Sequence, residues 1–85
     1  MAYTVSLRPA AERAWRKLPS EIRPRINRAL LALENDPRPH GVAKLRGHAN
    51  RWRVRIGDYR VIYQINDATN TVEILHIAHR REVYR

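Results

Sequence analysis

Two strand-forming runs joined by a Gly-Asp pair constrain the fold of this chain more than any other feature. Residues 51–56 alternate three arginines with a tryptophan, a valine and an isoleucine. A period of two predicts a half-buried strand with its apolar side chains on one face and its arginines on the other. A second run follows at 59–63, and the intervening Gly57-Asp58 predicts a two-residue type II′ turn with Gly57 at the positive-φ position. The sequence therefore predicts a β-hairpin.

The register of this hairpin places like charges side by side. It sets Ile56 opposite Tyr59, Arg55 opposite Arg60, Val54 opposite Val61, and Trp52 opposite Tyr63. Every apolar position then meets another apolar or aromatic one, which supports the register. On the other face Arg53, Arg55 and Arg60 gather, although like charges directly opposite each other destabilise a sheet. An anionic ligand that binds this cluster is the best explanation for it.

The balance of charge indicates the same class of ligand. The 85 residues carry 17 lysines and arginines against 8 aspartates and glutamates, a formal net charge of +9, and all but two of the basic residues are arginine. Arginine is favoured over lysine where planar, bidentate recognition of phosphate matters. Nucleic acid is therefore the first expected partner and an acidic protein the second. Without a cysteine, the chain offers neither a disulfide nor a Cys-based zinc site.

Hydrophobic periodicity and turn residues predict the remaining elements. They are a strand at 3–7, a helix from Pro9 to Leu18, a helix capped by Ser20 and running to about Leu33, a loop from Asn35 to about Ala49, a turn at 67–70 and a last strand from Thr71 to about His79. The last strand is apolar on both faces, which predicts a central position. We expect one domain spanning residues 1–85, of α+β class and β-α-α-β-β-β order, in which a two-helix hairpin packs on one face of a small, mostly antiparallel four-stranded sheet.

Neither a metal nor a cofactor is expected. Of the four histidines, His76 and His79 lie three residues apart on the predicted last strand, which directs them to opposite faces. No phosphate-binding loop, nucleophile elbow or dinucleotide-binding turn occurs. The chain starts without a basic and apolar signal segment, and its longest apolar run, 29–33, is too short to cross a bilayer. We therefore expect a cytoplasmic protein that does not associate with membranes.

Tyr84 lies in a short basic tail, residues 80–85, outside any apolar pattern. One interpretation is a frayed terminus with a stray tyrosine. The other is a phenol delivered into the arginine cluster, where neighbouring positive charge favours the phenolate and suits a general base. The spacing alone leaves both interpretations open.

Three blocks of the sequence resemble the RelE toxins of bacterial toxin–antitoxin pairs. They are Leu-Arg-Gly at 45–47, Gly-Asp-Tyr-Arg-Val-Ile-Tyr at 57–63, and His-Arg-Arg-Glu-Val-Tyr at 79–84. Length and predicted element order agree as well, so the resemblance covers nearly the whole chain. It implies a ribosome-dependent endoribonuclease that cleaves the A-site codon of mRNA, with a ribose 2′-hydroxyl as nucleophile and without a metal. It also implies an acidic, partly disordered, RelB-like antitoxin that covers the basic face, so that any contact with DNA is indirect, through the antitoxin.

The resemblance also implies roles for particular residues. Arg60 and Arg80 would stabilise transition-state charge, and Tyr84 would act as the base. To these we add His79, because it adjoins the cluster and imidazole is a common group for proton transfer in catalysis. Arginine stands at 53 and 55, where the best-known members often have lysine, which favours phosphate clamping over proton transfer. The catalytic candidates are thus Arg55, Arg60, His79, Arg80 and Tyr84, and the candidates for RNA binding are Lys44, Arg46, Arg51, Arg53 and Arg81.

Two rival functions remain open. A ParE-like inhibitor of DNA gyrase would share the fold but would need no set of arginines and a tyrosine. A catalytically weak RNA-binding or ribosome-binding homologue would hold phosphates by charge alone.

Overall fold

The computed structural model of the chain describes the backbone of residues 2–83 and the side chains of residues 2–81. Within these residues the strands are β1 (Thr4–Leu7), β2 (Ala43–Lys44), β3 (Arg51–Ile56), β4 (Tyr59–Asn66) and β5 (Thr71–His79). The helices are α1 (Pro9–Arg16), α2 (Arg23–Asn35) and α3 (Arg80–Val83). None of the described helices is long and apolar enough to cross a membrane.

The strands form one sheet in the order β1-β5-β4-β3-β2, and β1 and β5 make its parallel pair. This arrangement confirms the α+β class and the central position predicted for β5. The predicted number of four strands was wrong, because the described residues form five. Residues 43 and 44 pair with β3, Ala43 opposite Arg53 and Lys44 opposite Trp52. A strand of two residues is too short to show a period of two, and the sequence analysis therefore assigned it to a loop.

The β3–β4 hairpin has the predicted register. Ile56 pairs with Tyr59 and Arg55 pairs with Arg60, and the pairing continues to the other end of the hairpin. The turn is formed by two residues, and Gly57 has a φ of 58°. Only glycine adopts a positive φ without a steric penalty, so this residue fixes the turn and with it the register.

Both long helices pack on one face of the sheet and close the core. The core residues are Ala11, Leu18, Ile26, Leu30, Leu33, Ile56, Val61, Tyr63, Ile65, Val72, Ile74 and Ile77. The helices are also joined to each other by a hydrogen bond that the Trp15 indole donates to the Asn27 side chain at 2.8 Å. Arg23 stacks over the Trp15 ring at 5.0 Å and donates to the carbonyl of Leu18 at 3.1 Å, which satisfies a carbonyl just beyond the end of α1.

The start of α2 differs from the prediction. We expected Ser20 to cap this helix, but the helix begins at Arg23 and Ile22 occupies the cap position. The Ser20 hydroxyl instead donates to the Glu21 carboxylate at 3.2 Å. Residues 20–22 form a separate turn before the helix, and Pro24 then occupies its first turn, where a missing N–H costs little.

The segment after α2 is tied to the sheet by polar contacts. The buried Tyr63 hydroxyl donates to the carbonyl of Pro37 at 2.7 Å. Burial, the largest influence, raises the pKa of Tyr63 to about 12. Arg38 stacks over the ring of Trp52 at 5.4 Å and donates to Asp67 at 2.9 Å. These contacts hold the segment that leads into β2 against the sheet.

Candidate functional site

The sheet face opposite the helices, which we call the open face, carries residues in cross-strand rows. Partners in neighbouring strands project to the same side, so the pairing assigns each side chain to a face. One row contains Arg55, Arg60 and Ala78, and the next contains Arg53, Ile62 and His76. The open face therefore gathers Arg53, Arg55 and Arg60, which confirms the sequence-based prediction that these three guanidinium groups share one surface.

Arg80 joins this cluster from the end of β5. Its backbone N–H donates to the carbonyl of Asp58 in the hairpin turn at 2.7 Å, which anchors the first residue of α3 beside β4. Its side-chain Nε lies 3.9 Å from the Asp58 carboxylate, and both side chains are more than 60% exposed. An ion pair this long and this exposed adds little stability, so Arg80 remains available to a ligand.

These residues surround a cavity of about 230 Å³, which we call the arginine cavity. It is lined by Arg55, Gly57, Asp58, Arg60 and Arg80. Three guanidinium groups thus stand around one carboxylate. Arginine stays protonated at all physiological pH values and carries up to five donors, so the cavity presents fixed positive charge and hydrogen-bond donors to an anion.

Arg60 differs from the other members because it is buried. Its exposed fraction is 5%, and it is the only polar or charged residue in the buried set of the described chain. Burying a guanidinium costs free energy even when the group is paired. Arg60 therefore brings a buried positive charge to the lining of the arginine cavity.

Arg25 is a neighbour of the cavity that the sequence did not reveal. Its guanidinium lies against the hairpin turn, with Nη1 3.3 Å from the point that a Cβ on residue 57 would occupy. Arg25 belongs to α2, and its approach to the turn depends on how the helix crosses the sheet. A local sequence pattern does not carry that information.

The predicted RNA-binding residues do not all lie on the open face. Arg51 does, where its Nε donates to the Gln64 side chain at 3.3 Å. Lys44 pairs with Trp52, whose side chain packs against the core, so Lys44 projects to the helix side. Arg46 is exposed in the turn after β2, and Arg81 is exposed in α3. The basic residues on the open face are therefore those of β3 and β4, and the other predicted RNA-binding residues lie around them in different elements.

His79 lies on the helix side of the sheet, not in the arginine cavity. Its ring packs edge-on against Tyr59, with centroids 5.2 Å apart and planes at 89°. Its Nδ1 accepts a hydrogen bond from the backbone N–H of Arg81 at 3.3 Å. It borders a separate cavity of about 310 Å³ together with Arg13 and Lys17 of α1. In the structure His79 thus supports the start of α3.

Two further predictions concern Tyr84 and metals. Tyr84 lies outside the described residues. Among the residues that are described, no group of three or more histidines and carboxylates is placed to hold a metal ion.

Comparisons with known proteins match the chain over nearly its whole length. A family described as "ParE toxin of type II toxin-antitoxin system, parDE" matches residues 5–84. Toxin RelG of Mycobacterium tuberculosis is 37% identical over 90 residues, which cover 100% of this chain and 99% of the relative. The mRNA interferase toxin RelE of Escherichia coli is 31% identical over 88 residues, which cover 99% of this chain and 92% of the relative.

Solved structures agree with the sequence comparisons. The archaeal RelE–RelB complex from Pyrococcus horikoshii contains a chain with a TM-score of 0.84 and 33% identity, covering 94% of this chain and 97% of that one. The intact RelBE toxin–antitoxin complex of Escherichia coli contains a chain with a TM-score of 0.82 and 28% identity, covering 92% of this chain and 96% of that one.

Proposed function

This chain belongs to the RelE/ParE superfamily, as a toxin of a type II toxin–antitoxin system, and from that membership we propose that it is a ribosome-dependent mRNA endoribonuclease. It would enter the ribosomal A site and cleave the exposed codon. The observation that carries the proposal is the arginine cavity, where Arg55, Arg60 and Arg80 surround a space open to a phosphate. The relative named mRNA interferase supports the same reaction class.

The reaction needs three kinds of group. A base removes the proton of the ribose 2′-hydroxyl, whose oxygen then attacks the adjacent phosphorus. Positive groups stabilise the additional negative charge on the phosphorane oxygens. An acid gives a proton to the 5′-oxygen as its bond to phosphorus breaks, which leaves a 2′,3′-cyclic phosphate and a free 5′-hydroxyl. No oxidant, metal or cofactor is required for this sequence of steps.

We assign the charge-stabilising role to Arg60 and Arg80 and the clamping of flanking phosphates to Arg53 and Arg55. Guanidinium groups suit both roles because they stay charged and donate in pairs to phosphate oxygens. Tyr84 is our candidate for the base. For His79 we now propose a positioning role through α3, because its ring faces Tyr59 and its Nδ1 accepts from Arg81.

The partners follow from the same surface. The two structural relatives described above were solved as complexes of RelE with RelB, and we propose a cognate RelB-like antitoxin for this chain. An acidic, partly disordered segment of it would cover the open face, with an affinity that falls as salt rises. The other partners would be mRNA and the ribosome, in the cytoplasm, with DNA contacted only through the antitoxin. We also propose that residues 1–85 act as one domain.

Expression of the chain in a bacterial host, followed by mapping of mRNA 5′ ends, tests the proposal. We expect new 5′ ends within translated codons of a reporter mRNA, and their loss from a matched reporter whose start codon is removed so that it is not translated. The rival function, inhibition of DNA gyrase, is suggested by the ParE description of the matched family. A supercoiling assay with purified gyrase separates the two, because gyrase inhibition without new mRNA ends would overturn our proposal.

A further inference from the structure

The open face continues beyond the arginine cluster into a region of different chemistry. Beyond the row of Ile62, a third row contains Arg51, Gln64, Glu73 and Ser6. It lies four residues along β4 from Arg60, a distance of about 13 Å at the rise of a strand. Asn66 pairs with Thr71 one row further on. Beside Arg51 this part of the open face presents amides, hydroxyls and one carboxylate, and it is continuous with the arginine cluster.

These side chains border a second space on the same face. A cavity of about 290 Å³, which we call the polar groove, is lined by Ser6, Gln64, Asn66, Thr71 and Glu73. Its volume is close to the lower end of the range for small-ligand sites. Its lining contains no lysine or arginine, so it does not suit a phosphate. It suits a neutral ligand with several hydrogen-bonding atoms.

Neighbouring contacts orient the two central groups of the groove. Arg51 Nε donates to Gln64 Oε1 at 3.3 Å, which turns the Gln64 NH₂ group and its two donors away from Arg51. Arg8 Nη2 lies 3.3 Å from Glu73 Oε1 and leaves the second carboxylate oxygen as an acceptor. Gln64 and Glu73 are direct cross-strand partners. The groove therefore presents a donor beside an acceptor, spaced as cross-strand neighbours are.

The edge of an RNA base has the complementary arrangement, an acceptor beside a donor. Single-stranded RNA is recognised through unstacked bases, which are hydrogen-bonded along their edges and stacked on aromatic side chains. The row between the arginine cavity and the polar groove carries exposed His76 beside Ile62, a surface on which an intervening nucleotide can lie. The open face thus offers phosphate contacts at one end and base contacts at the other.

We propose that the polar groove binds a base of the mRNA, one or two nucleotides from the scissile phosphate, and that Gln64 and Glu73 read its edge. This inference rests on the proposed function, because it takes the arginine cavity as the site of the scissile phosphate. It makes Gln64 and Glu73 determinants of codon preference, outside the groups that carry out the reaction. The ligand is a single-stranded RNA base with a donor and an acceptor side by side.

Codon-resolved cleavage by ribosomes programmed with mixed mRNAs tests the inference. The measured quantity is the ratio of cleavage between codons that differ in one base. For Glu73→Gln and Gln64→Leu we expect this ratio to change by about fivefold or more at one codon position, the scale of a lost base-edge contact, and to stay constant at the others. Glu21→Gln is the matched control, because it removes the same charge from an exposed site in the turn before α2 and should leave all ratios unchanged.

Ratios that match the wild type at every codon position, with both variants folded and cleaving, would overturn the inference. A binding experiment separates this failure from failure of the proposed function. If the wild-type chain cleaves nothing, its affinity is measured for short single-stranded RNAs that differ at one base. Discrimination of about fivefold or more that Glu73→Gln removes would support the groove and leave only the reaction in doubt. Equal affinity of the wild type for all these RNAs would overturn the groove as well.

Discussion

The arginines near the two ends of β4 differ in their contacts with carboxylates. At the β4–β5 turn, Arg38 donates to both oxygens of Asp67, and Tyr3 donates to the same carboxylate at 2.7 Å. These hydrogen bonds, that from Arg38 first, hold the pKa of Asp67 below its usual range. At the β3–β4 turn, Arg53 and Arg55 have no ion pair within the described residues, and Arg80 has only a long contact to Asp58.

The comparison shows that the two ends of β4 differ in how closely a carboxylate approaches the arginine beside it. Arginines occur on most surfaces of this chain, and within its described residues Arg8 and Arg16 also contact carboxylates, in the pairs Arg8–Glu73 and Arg16–Glu12. A carboxylate in contact with a guanidinium offsets its charge, whereas guanidinium groups close to one another repel and together attract phosphate. Four predictions follow in order of expected effect, and the first two compare matched changes at the two ends of β4.

The largest effect is expected from the tyrosine hydroxyls. Tyr84→Phe should lower A-site cleavage by about 10²-fold or more, the usual contribution of a general base. The matched control is Tyr3→Phe, which removes a hydroxyl at the paired end of the sheet and should leave cleavage within a few-fold of the wild type. The rate of appearance of cleaved mRNA on purified ribosomes measures both. Normal cleavage by Tyr84→Phe would remove Tyr84 from the mechanism.

The second-largest effect is expected from loss of a guanidinium group in the arginine cavity. Arg60→Ala should lower cleavage by about 10²-fold, as does the loss of one donor to a developing oxyanion. Because Arg60 is buried, the exposed Arg80→Ala provides a second test in a variant that should retain its fold. Arg38→Ala serves as the control: we expect it to lower the melting temperature while cleavage stays close to that of the wild type. Equal losses of activity from Arg38→Ala and Arg80→Ala would contradict the distinction between the two ends.

Alkaline pH should weaken the fold through Tyr63. Its pKa is raised to about 12 by burial, above the ordinary value of about 10 for an unfolded chain. The neutral phenol is therefore favoured in the folded state, and the stability linked to it is complete below pH 10 and is lost as the pH rises to about 12. The difference amounts to roughly 3 kcal/mol. Urea unfolding at several pH values measures it, and Tyr63→Phe should show a shallower decline above pH 10 than the wild type does.

The smallest effect is expected at His79. His79→Ala removes both the ring packed on Tyr59 and the acceptor for the Arg81 N–H, and we expect a loss of cleavage of several-fold, typical of a weakened helix cap. Asparagine is a good cap, so His79→Asn should recover part of that loss. If His79 instead transfers a proton directly, both variants should be equally inactive, and their pH profiles should differ from that of the wild type.

The hairpin could be predicted in detail because its information is local. Alternation and the Gly57-Asp58 turn fix the register within a dozen residues, and the register alone brings Arg53, Arg55 and Arg60 to one face. The features that the sequence did not reveal depend on distant parts of the chain. Lys44 was expected to join the RNA-binding surface, but the path of the preceding loop pairs it with Trp52 and directs it to the helix side.

His79 is a second residue whose position a local sequence pattern did not fully predict. Its spacing from His76 correctly predicted opposite faces, yet proximity in sequence to Arg80 suggested a place in the cluster. The change from β5 to α3 separates these neighbours, because His79 projects toward Tyr59 while Arg80 lies beside Asp58 and the arginine cavity. Adjacent residues at the end of a strand project to opposite sides, and the sequence, which correctly placed the end of β5 at about His79, did not reveal the direction in which Arg80 leaves the strand.

NMR observation of the arginine side chains tests the central claim most directly. Nε–H resonances of the wild-type chain can be followed while a short single-stranded RNA, carrying 2′-deoxyribose to prevent cleavage, is added at low salt. We expect progressive shifts of the resonances of Arg53, Arg55, Arg60 and Arg80, and little change in those of Arg16 and Arg38, whose guanidinium groups are paired with carboxylates. Shifts of equal size in both sets, or shifts confined to the paired set, would contradict the claim that the acid-poor end of the sheet is the RNA site.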